Sequence, residues 1–247
     1  MSHRLSRLGP LVICLLLLSA AALADTVVGD GTFQSGWAPS TNGSTYFNNA
    51  SWDGNGMNIG FCIAGGSTCN FTGQPGTALP VFAGSNFSAP GAFYISPSGA
   101  GNASLTLEVA GNSGSNQFGW YLIGTDPTNA ANRNILFTGP QGSGTVTNFN
   151  PSAAYGFYIL AGGTTLYTST LFGGATDQQF AVFQQGNTLW MGVEDLALRG
   201  GDRDYNDMII KITPVPEPAS LAYLALGLIT IGAAFQKKLR SQRATSM

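Results

Sequence analysis

The sequence predicts an all-β domain of the β-sandwich or jelly-roll kind, exported from the cytoplasm between an N-terminal signal peptide and one C-terminal transmembrane helix. Three observations carry this. Short segments alternating apolar and polar residues recur roughly every ten residues, as they do in sandwiches. Glycine-rich turns separate them, and Gly supplies 34 of the 247 residues. No long helical period interrupts the pattern. Only 9% of residues are charged, against about 25% in an average globular chain.

The clearest strand is Leu105-Thr106-Leu107-Glu108-Val109, whose side chains alternate between a buried and a wet face. Further strands are expected at 118–123, 145–149, 155–160, 164–168, 179–184, 188–193 and 208–212. Gly111-Asn112-Ser113-Gly114, Asp126-Pro127, Gly142-Ser143-Gly144, Gly162-Gly163, Gly173-Gly174 and Gln185-Gly186-Asn187 punctuate them. These residue types tolerate positive φ or fix a turn. Residues 25–103 are richer in Gly, Asn and Ser and read as a strand-poor front portion of one domain, 25–213.

Residues 1–24 read as a secretory signal peptide. Arg4 and Arg7 precede the unbroken apolar run 11–18, and Ala22-Leu23-Ala24 is a small-x-small cleavage site. The mature chain then begins at Asp25. At the other end, Val215-Pro216-Glu217-Pro218 precedes residues 219–235, which carry no charge, and Lys237, Lys238, Arg240 and Arg243 follow. A helix over 219–235 would be about 25 Å long, just short of a typical hydrocarbon core. The basic cluster would stay cytoplasmic, which places the preceding domain outside the membrane.

This three-part tail, 214–243, resembles the PEP-CTERM sorting signal, also catalogued as the ice-binding-protein C-terminal motif. Its sorting residues are Pro216, Glu217 and Pro218. The resemblance implies a Gram-negative bacterium, the secretion machinery and an exosortase-type membrane peptidase as partners, and an inner-membrane precursor. It further implies a final place at the cell surface or in a matrix of exopolysaccharide and biofilm. Pro216 and Pro218 lack N–H groups and favour extended backbone, which suits presentation to a peptidase.

Composition excludes several chemistries. From Asp25 to Pro216 there is no His, and the basic residues are Arg133, Arg199, Arg203 and Lys211 against eleven acidic ones. Ser-His-Asp and Cys-His catalysis and His-ligated metals are therefore excluded, and no nucleic-acid partner is expected of so acidic a domain. Cys62 and Cys69 are the two cysteines of this stretch. An even pair in an exported chain reads as a disulfide. It would close a short loop through Gly65-Gly66 and add roughly 2–3 kcal/mol.

The densest chemistry lies at 194–207, between two expected strands. Glu194, Asp195, Asp202, Asp204 and Asp207 supply five carboxylates, and Asn206 adds a neutral oxygen. Alternation of Asp202, Asp204 and Asn206 in an extended loop would aim hard oxygen ligands at one point, as Ca²⁺ requires. It is not an EF-hand loop: counting from Asp202, position six is Asp207 and position twelve Thr213. The other reading is a turn whose Asp and Asn side chains cap backbone N–H groups, with Arg199 and Arg203 pairing the carboxylates. Glu194-Asp195, Gly200-Gly201-Asp202 and Asp204-Tyr205-Asn206-Asp207-Met208-Ile209-Ile210 resemble the C-terminal signature of a bacterial extracytoplasmic domain of unknown function. The resemblance extends back to about Leu105. It implies a β-rich domain on secreted or surface proteins, points toward calcium, and assigns no enzymatic activity.

The expected function is thus a noncatalytic exported surface or matrix protein. A carbohydrate-binding module is the alternative, because Trp37, Trp52, Trp120, Trp190 and eight Tyr could stack on sugars. Less favoured is a glycoside hydrolase pairing Glu108 with Glu194 or Asp195, since such enzymes need two carboxylates about 5–10 Å apart.

Overall fold

The computed structural model describes residues 25–34, 58–65, 71–84, 92–97, 99–108, 114–169, 172, 178–196, 204–215, 227–232, 234–236 and 242. The expected signal peptide, the Pro216-Glu217-Pro218 motif and the basic residues 237–243 lie outside them. Of the expected span 219–235, residues 227–232, 234 and 235 are helical. No helix among the described residues is long and apolar enough to cross a membrane. The β-rich unit runs from Ala24 to Val215 and is described by itself.

In chain order its described strands are β1 (Thr26–Gly29), β2 (Gly31–Gln34), β3 (Val81–Gly84), β4 (Phe93–Ser96), β5 (Gly101–Glu108), β6 (Gln117–Leu122) and β7 (Arg133–Thr138). Then follow β8 (Val146–Phe149), β9 (Tyr155–Ala161), β10 (Thr164–Tyr167), β11 (Phe180–Gln185), β12 (Thr188–Val193) and β13 (Met208–Pro214). One short helix, α1 (Ile59–Ala64), lies between β2 and β3. The first sheet has the order β1-β4-β9-β6-β7, with β10 also on β9. The second has the order β2-β3-β11-β12-β13-β5-β8. The pairings are antiparallel in both.

Period-two patterning explains the layers. In β12, Leu189, Met191 and Val193 face the core between the sheets, with Met208, Ile210 and Ile212 of β13 beside them. From the first sheet, Ile95, Phe118, Phe157 and Ile159 meet them. Rings pack throughout, as between Phe118 and Phe157 at 5.2 Å. The opposite set of β-strand positions is also covered. Trp190, Ala181, Phe183 and Ile209 lie under Ile59, Cys62 and Ile63 of α1, with Phe71 and Tyr205. With both faces buried, the central strands read as nearly continuous apolar runs.

The front portion is not strand-poor. It contributes β1 to β4, four residues each, too short and glycine-rich for alternation to register. The helix α1 also went unforeseen. It is set by Asn58, whose side chain accepts from the Phe61 N–H at 3.1 Å, and stopped by Gly65 at φ 92°. The strand β7 was missed because a bulge breaks its period. Phe118 pairs with Phe137 and Gly119 with Ile135, so Leu136 and Phe137 are both buried.

Candidate functional site

Antiparallel pairing of Val193 with Met208 brings together the two ends of the acidic segment. Glu194 directly follows β12, and its N–H donates to the Gln179 carbonyl at 2.9 Å. The Asp195 N–H donates to Asp207 Oδ2 at 2.7 Å, which closes the neck of the loop. On the return, the Asp204 carbonyl accepts from the Ile59 N–H of α1 at 2.8 Å. Tyr205, one of the two residues between the returning acids Asp204 and Asp207, has φ 55°. A left-handed non-glycine residue costs roughly 1–3 kcal/mol unless its surroundings impose it. Here the Tyr205 ring is buried beside α1, and its hydroxyl donates to the Gln178 carbonyl at 3.0 Å.

The result is a cluster of Glu194, Asp204 and Asp207 with one carboxylate oxygen from each within 4.8 Å of the others. Glu194 and Asp204 are buried and Asp207 half-buried. Two oxygens on one calcium ion can be at most about 5 Å apart, given Ca–O distances near 2.3–2.6 Å. Donor type and span therefore fit a hard divalent cation. Like charges this close repel by about 3 kcal/mol per pair at an effective dielectric of about 20, which a cation, a guanidinium or a shared proton would relieve. Asp202, Arg199 and Arg203 lie outside the described residues.

Two features suit the turn-capping reading equally. Asp204 Oδ1 accepts from the Asn206 N–H at 3.2 Å, and Asp207 caps Asp195. The expected ligands thus divide. Glu194, Asp204 and Asp207 converge, while the Asp195 carboxylate accepts from Asn116 Nδ2 at 3.1 Å. The Asn206 backbone N–H donates to Asp204 Oδ1. Asn116, Gln178 and Gln179 were not foreseen. Asn116 pairs across 79 positions of sequence, which no local pattern signals. Tyr205, an aromatic inside a polar run, was the one visible hint of an anchor.

Other expected residues are placed as follows. Cys62 is disulfide-bonded, and Cys69 lies outside the described residues. Trp190 is buried under Phe71, and Trp120 packs on the core against Phe149 and Tyr155. Trp190 is therefore no open stacking platform for a sugar, whereas Trp120 is only half-buried. Trp37 and Trp52 lie outside the described residues. Glu108 pairs with Met208, which pairs with Val193 on its other side.

Residues 113–214 match a family described as a domain of unknown function, DUF4114. The expected resemblance to such a domain holds over these residues, and it starts at 113 rather than near Leu105. The match takes in β6 to β13 and the whole acidic segment, leaving α1 and β1 to β5 outside. Because β5 lies between β13 and β8, the matched region does not contain the complete second sheet. No curated protein and no solved structure matches the chain.

Proposed function

We propose that this chain is a noncatalytic protein of the bacterial surface or extracellular matrix, associated with exopolysaccharide. A signal peptide exports it, the helix 219–235 holds a precursor in the inner membrane, and an exosortase-type peptidase reads Pro216-Glu217-Pro218. One observation carries this reading: a Pro-Glu-Pro, a stretch of 17 uncharged residues and a Lys/Arg cluster follow one another in 214–243. A plain membrane anchor accounts for the helix and the charges but not for two prolines directly before them.

Within the exported domain we assign Glu194, Asp204 and Asp207 to a structural Ca²⁺. Their convergence within 4.8 Å supports it. Such an ion would tie the end of β12 to the start of β13 and, through the Asp204 carbonyl, to α1. Its role would be to stiffen an extracellular domain where calcium is abundant, with no reaction at the site.

Mass spectrometry of protein from wild-type cells tests the sorting role. The exported form should lack residues 237–243, and replacing Pro216 and Pro218 by Ala should leave a membrane-retained precursor. An intact tail on the exported protein would overturn the proposal in favour of a simple anchor.

A further inference from the structure

On the outer face of the second sheet, the apolar layer with α1 takes its strand residues from β3, β11, β12 and Ile209 of β13. The same face continues across β13, β5 and β8. There Ile210, Ile212, Ala103 and Phe149 face the core, so the residues alternating with them face outward. Register sets these in two parallel rows. In one, Thr213 pairs with Asn102 and Asn102 with Asn148. In the other, Lys211 pairs with Ser104 and Ser104 with Val146. Asn148 and Val146 are exposed and the other four half-buried. Asn102 Nδ2 donates to Asn148 Oδ1 at 3.0 Å. That bond fixes both amides and leaves Asn102 Oδ1 to accept and the Asn148 amide nitrogen to donate. Lys211 is the single lysine between Asp25 and Pro216. Its ammonium lies 5.4 Å from the Trp190 ring centre, and its cross-strand neighbours, Trp190 and Ser104, are uncharged. Among the described residues no carboxylate pairs with it.

A sugar hydroxyl both donates and accepts, and a uronic acid adds a carboxylate. The two rows offer an amide acceptor, an amide donor, the Ser104 and Thr213 hydroxyls and one ammonium. Neighbouring strands lie about 4.8 Å apart, so these groups spread over a width of more than one sugar ring. A protein partner would call for an apolar centre with aromatic anchors, and the rows offer only Val146 at one end. Charge complementarity favours an anionic chain, because the ammonium is unmatched on its own face. We propose that this face binds an acidic polysaccharide. Lys211 takes a uronate carboxylate, and Asn102, Asn148, Ser104 and Thr213 take ring hydroxyls. The choice of a polysaccharide rests on the matrix role proposed above. The face shares no residue with the carboxylate cluster, so it acts with or without calcium.

Native gels containing polygalacturonate and chelator, run with the purified full chain, test this. The chelator keeps calcium from bridging the polymer to the carboxylate cluster. The polymer should retard the protein. Lys211→Gln should weaken binding about threefold to fivefold, the effect of one exposed charge pair. Asn148→Ala should weaken it about twofold to threefold, the effect of one neutral hydrogen bond. Asn148 is exposed, so its replacement leaves the fold intact. On the methyl ester of the polymer, which lacks the carboxylate, Lys211→Gln should bind as wild type and Asn148→Ala should keep its loss. Arg133→Gln removes a positive charge from the first sheet instead and should bind polygalacturonate as wild type. No retardation, or wild-type binding by both Lys211→Gln and Asn148→Ala, would overturn the proposal. So would an equal loss in Arg133→Gln, which would mark attraction to charge at large. Cell fractionation separates the two ideas. Wild-type protein that binds the polymer but is absent from the matrix sinks the matrix role, whereas a Lys211→Gln, Asn148→Ala double variant that stays in the matrix sinks this face alone.

Discussion

The outer faces of the two sheets are buried by different chemistry. On the second sheet, Trp190, Phe183 and Ile209 lie beneath α1 and Tyr205 in an apolar layer. On the first, Tyr121, Tyr158 and Tyr167 pack with Phe172. There Tyr121 accepts from the Ser169 N–H at 3.3 Å, Tyr167 donates to the Pro127 carbonyl, and Arg133 lies 5.3 Å from the Tyr158 ring centre. Burial pushes all three tyrosine hydroxyls above their usual pKa. The layers bury comparable rings, but only the apolar one contains a residue of the acidic loop. Damage to the second sheet's outer layer should therefore reach the carboxylate cluster, and damage to the first should not.

The largest expected effect is Trp190→Ala, which removes the biggest ring of the apolar layer. It should cost about 3–5 kcal/mol in urea unfolding, and the calcium-induced rise in melting temperature should shrink with it. Tyr121→Ala should cost a similar amount and leave the calcium response intact. If both variants lose the response equally, the two faces are one cooperative unit and the distinction fails.

Calcium itself comes next. At a free concentration about a hundred times its dissociation constant, an ion bound only to the folded state adds about 2.7 kcal/mol. Millimolar Ca²⁺ should thus raise the melting temperature by several degrees, with Mg²⁺ doing less because it dehydrates reluctantly. Asp204→Ala should largely abolish the rise. Identical melting curves in calcium and in chelator would leave turn capping as the role of the cluster.

A matched pair of glycines gives a finer probe. A Cβ on Gly192 would lie 2.4 Å from the Tyr205 carbonyl and 2.8 Å from Ile59 Cγ1. On Gly119 it would lie 2.1 Å from the Asn134 carbonyl and 2.7 Å from Tyr158 Cε1. Each Ala variant should cost about 1–3 kcal/mol through forced displacement. Gly192→Ala alone should also weaken calcium binding, measured by titration, because it pushes Tyr205 away from β12.

The same contrast marks what the sequence made legible. From β8 to β13, expected and observed strands agree within a residue or two at nearly every end, because polar turns bound each apolar run. The period failed where geometry departs from a regular ladder. Besides the bulge in β7, β5 carries one at Thr106, where Ile209 pairs with Leu107 but Ile210 with Leu105. The Thr106 hydroxyl donates there to the Ile209 carbonyl at 2.6 Å. The acidic loop was visible from composition alone, since five carboxylates in so short a stretch stand out. Which of the described carboxylates would converge was not, because that depends on the left-handed turn at Tyr205 and on the bond from Asn116 to Asp195.

The smallest effect separates two hydroxyls. In Tyr121→Phe the Ser169 N–H loses its acceptor. In Tyr205→Phe the Gln178 carbonyl loses a donor. Both rings stay, so packing barely changes, and only the hydrogen-bond balance differs. A buried N–H has one bond to make and is rarely left unpaired, whereas a carbonyl with two lone pairs tolerates the loss better. Tyr121→Phe should therefore cost about 1–2 kcal/mol and Tyr205→Phe about 0.5–1 kcal/mol. Yet the smaller loss should be the one that matters for the ion. The Tyr205 hydroxyl helps hold a backbone conformation that the residue resists, and Asp204 and Asp207 flank it. Tyr205→Phe should raise the calcium dissociation constant severalfold, while Tyr121→Phe should leave it unchanged. Calorimetric titration of both variants decides this. An unchanged constant in Tyr205→Phe would mean that the buried ring alone sets the turn.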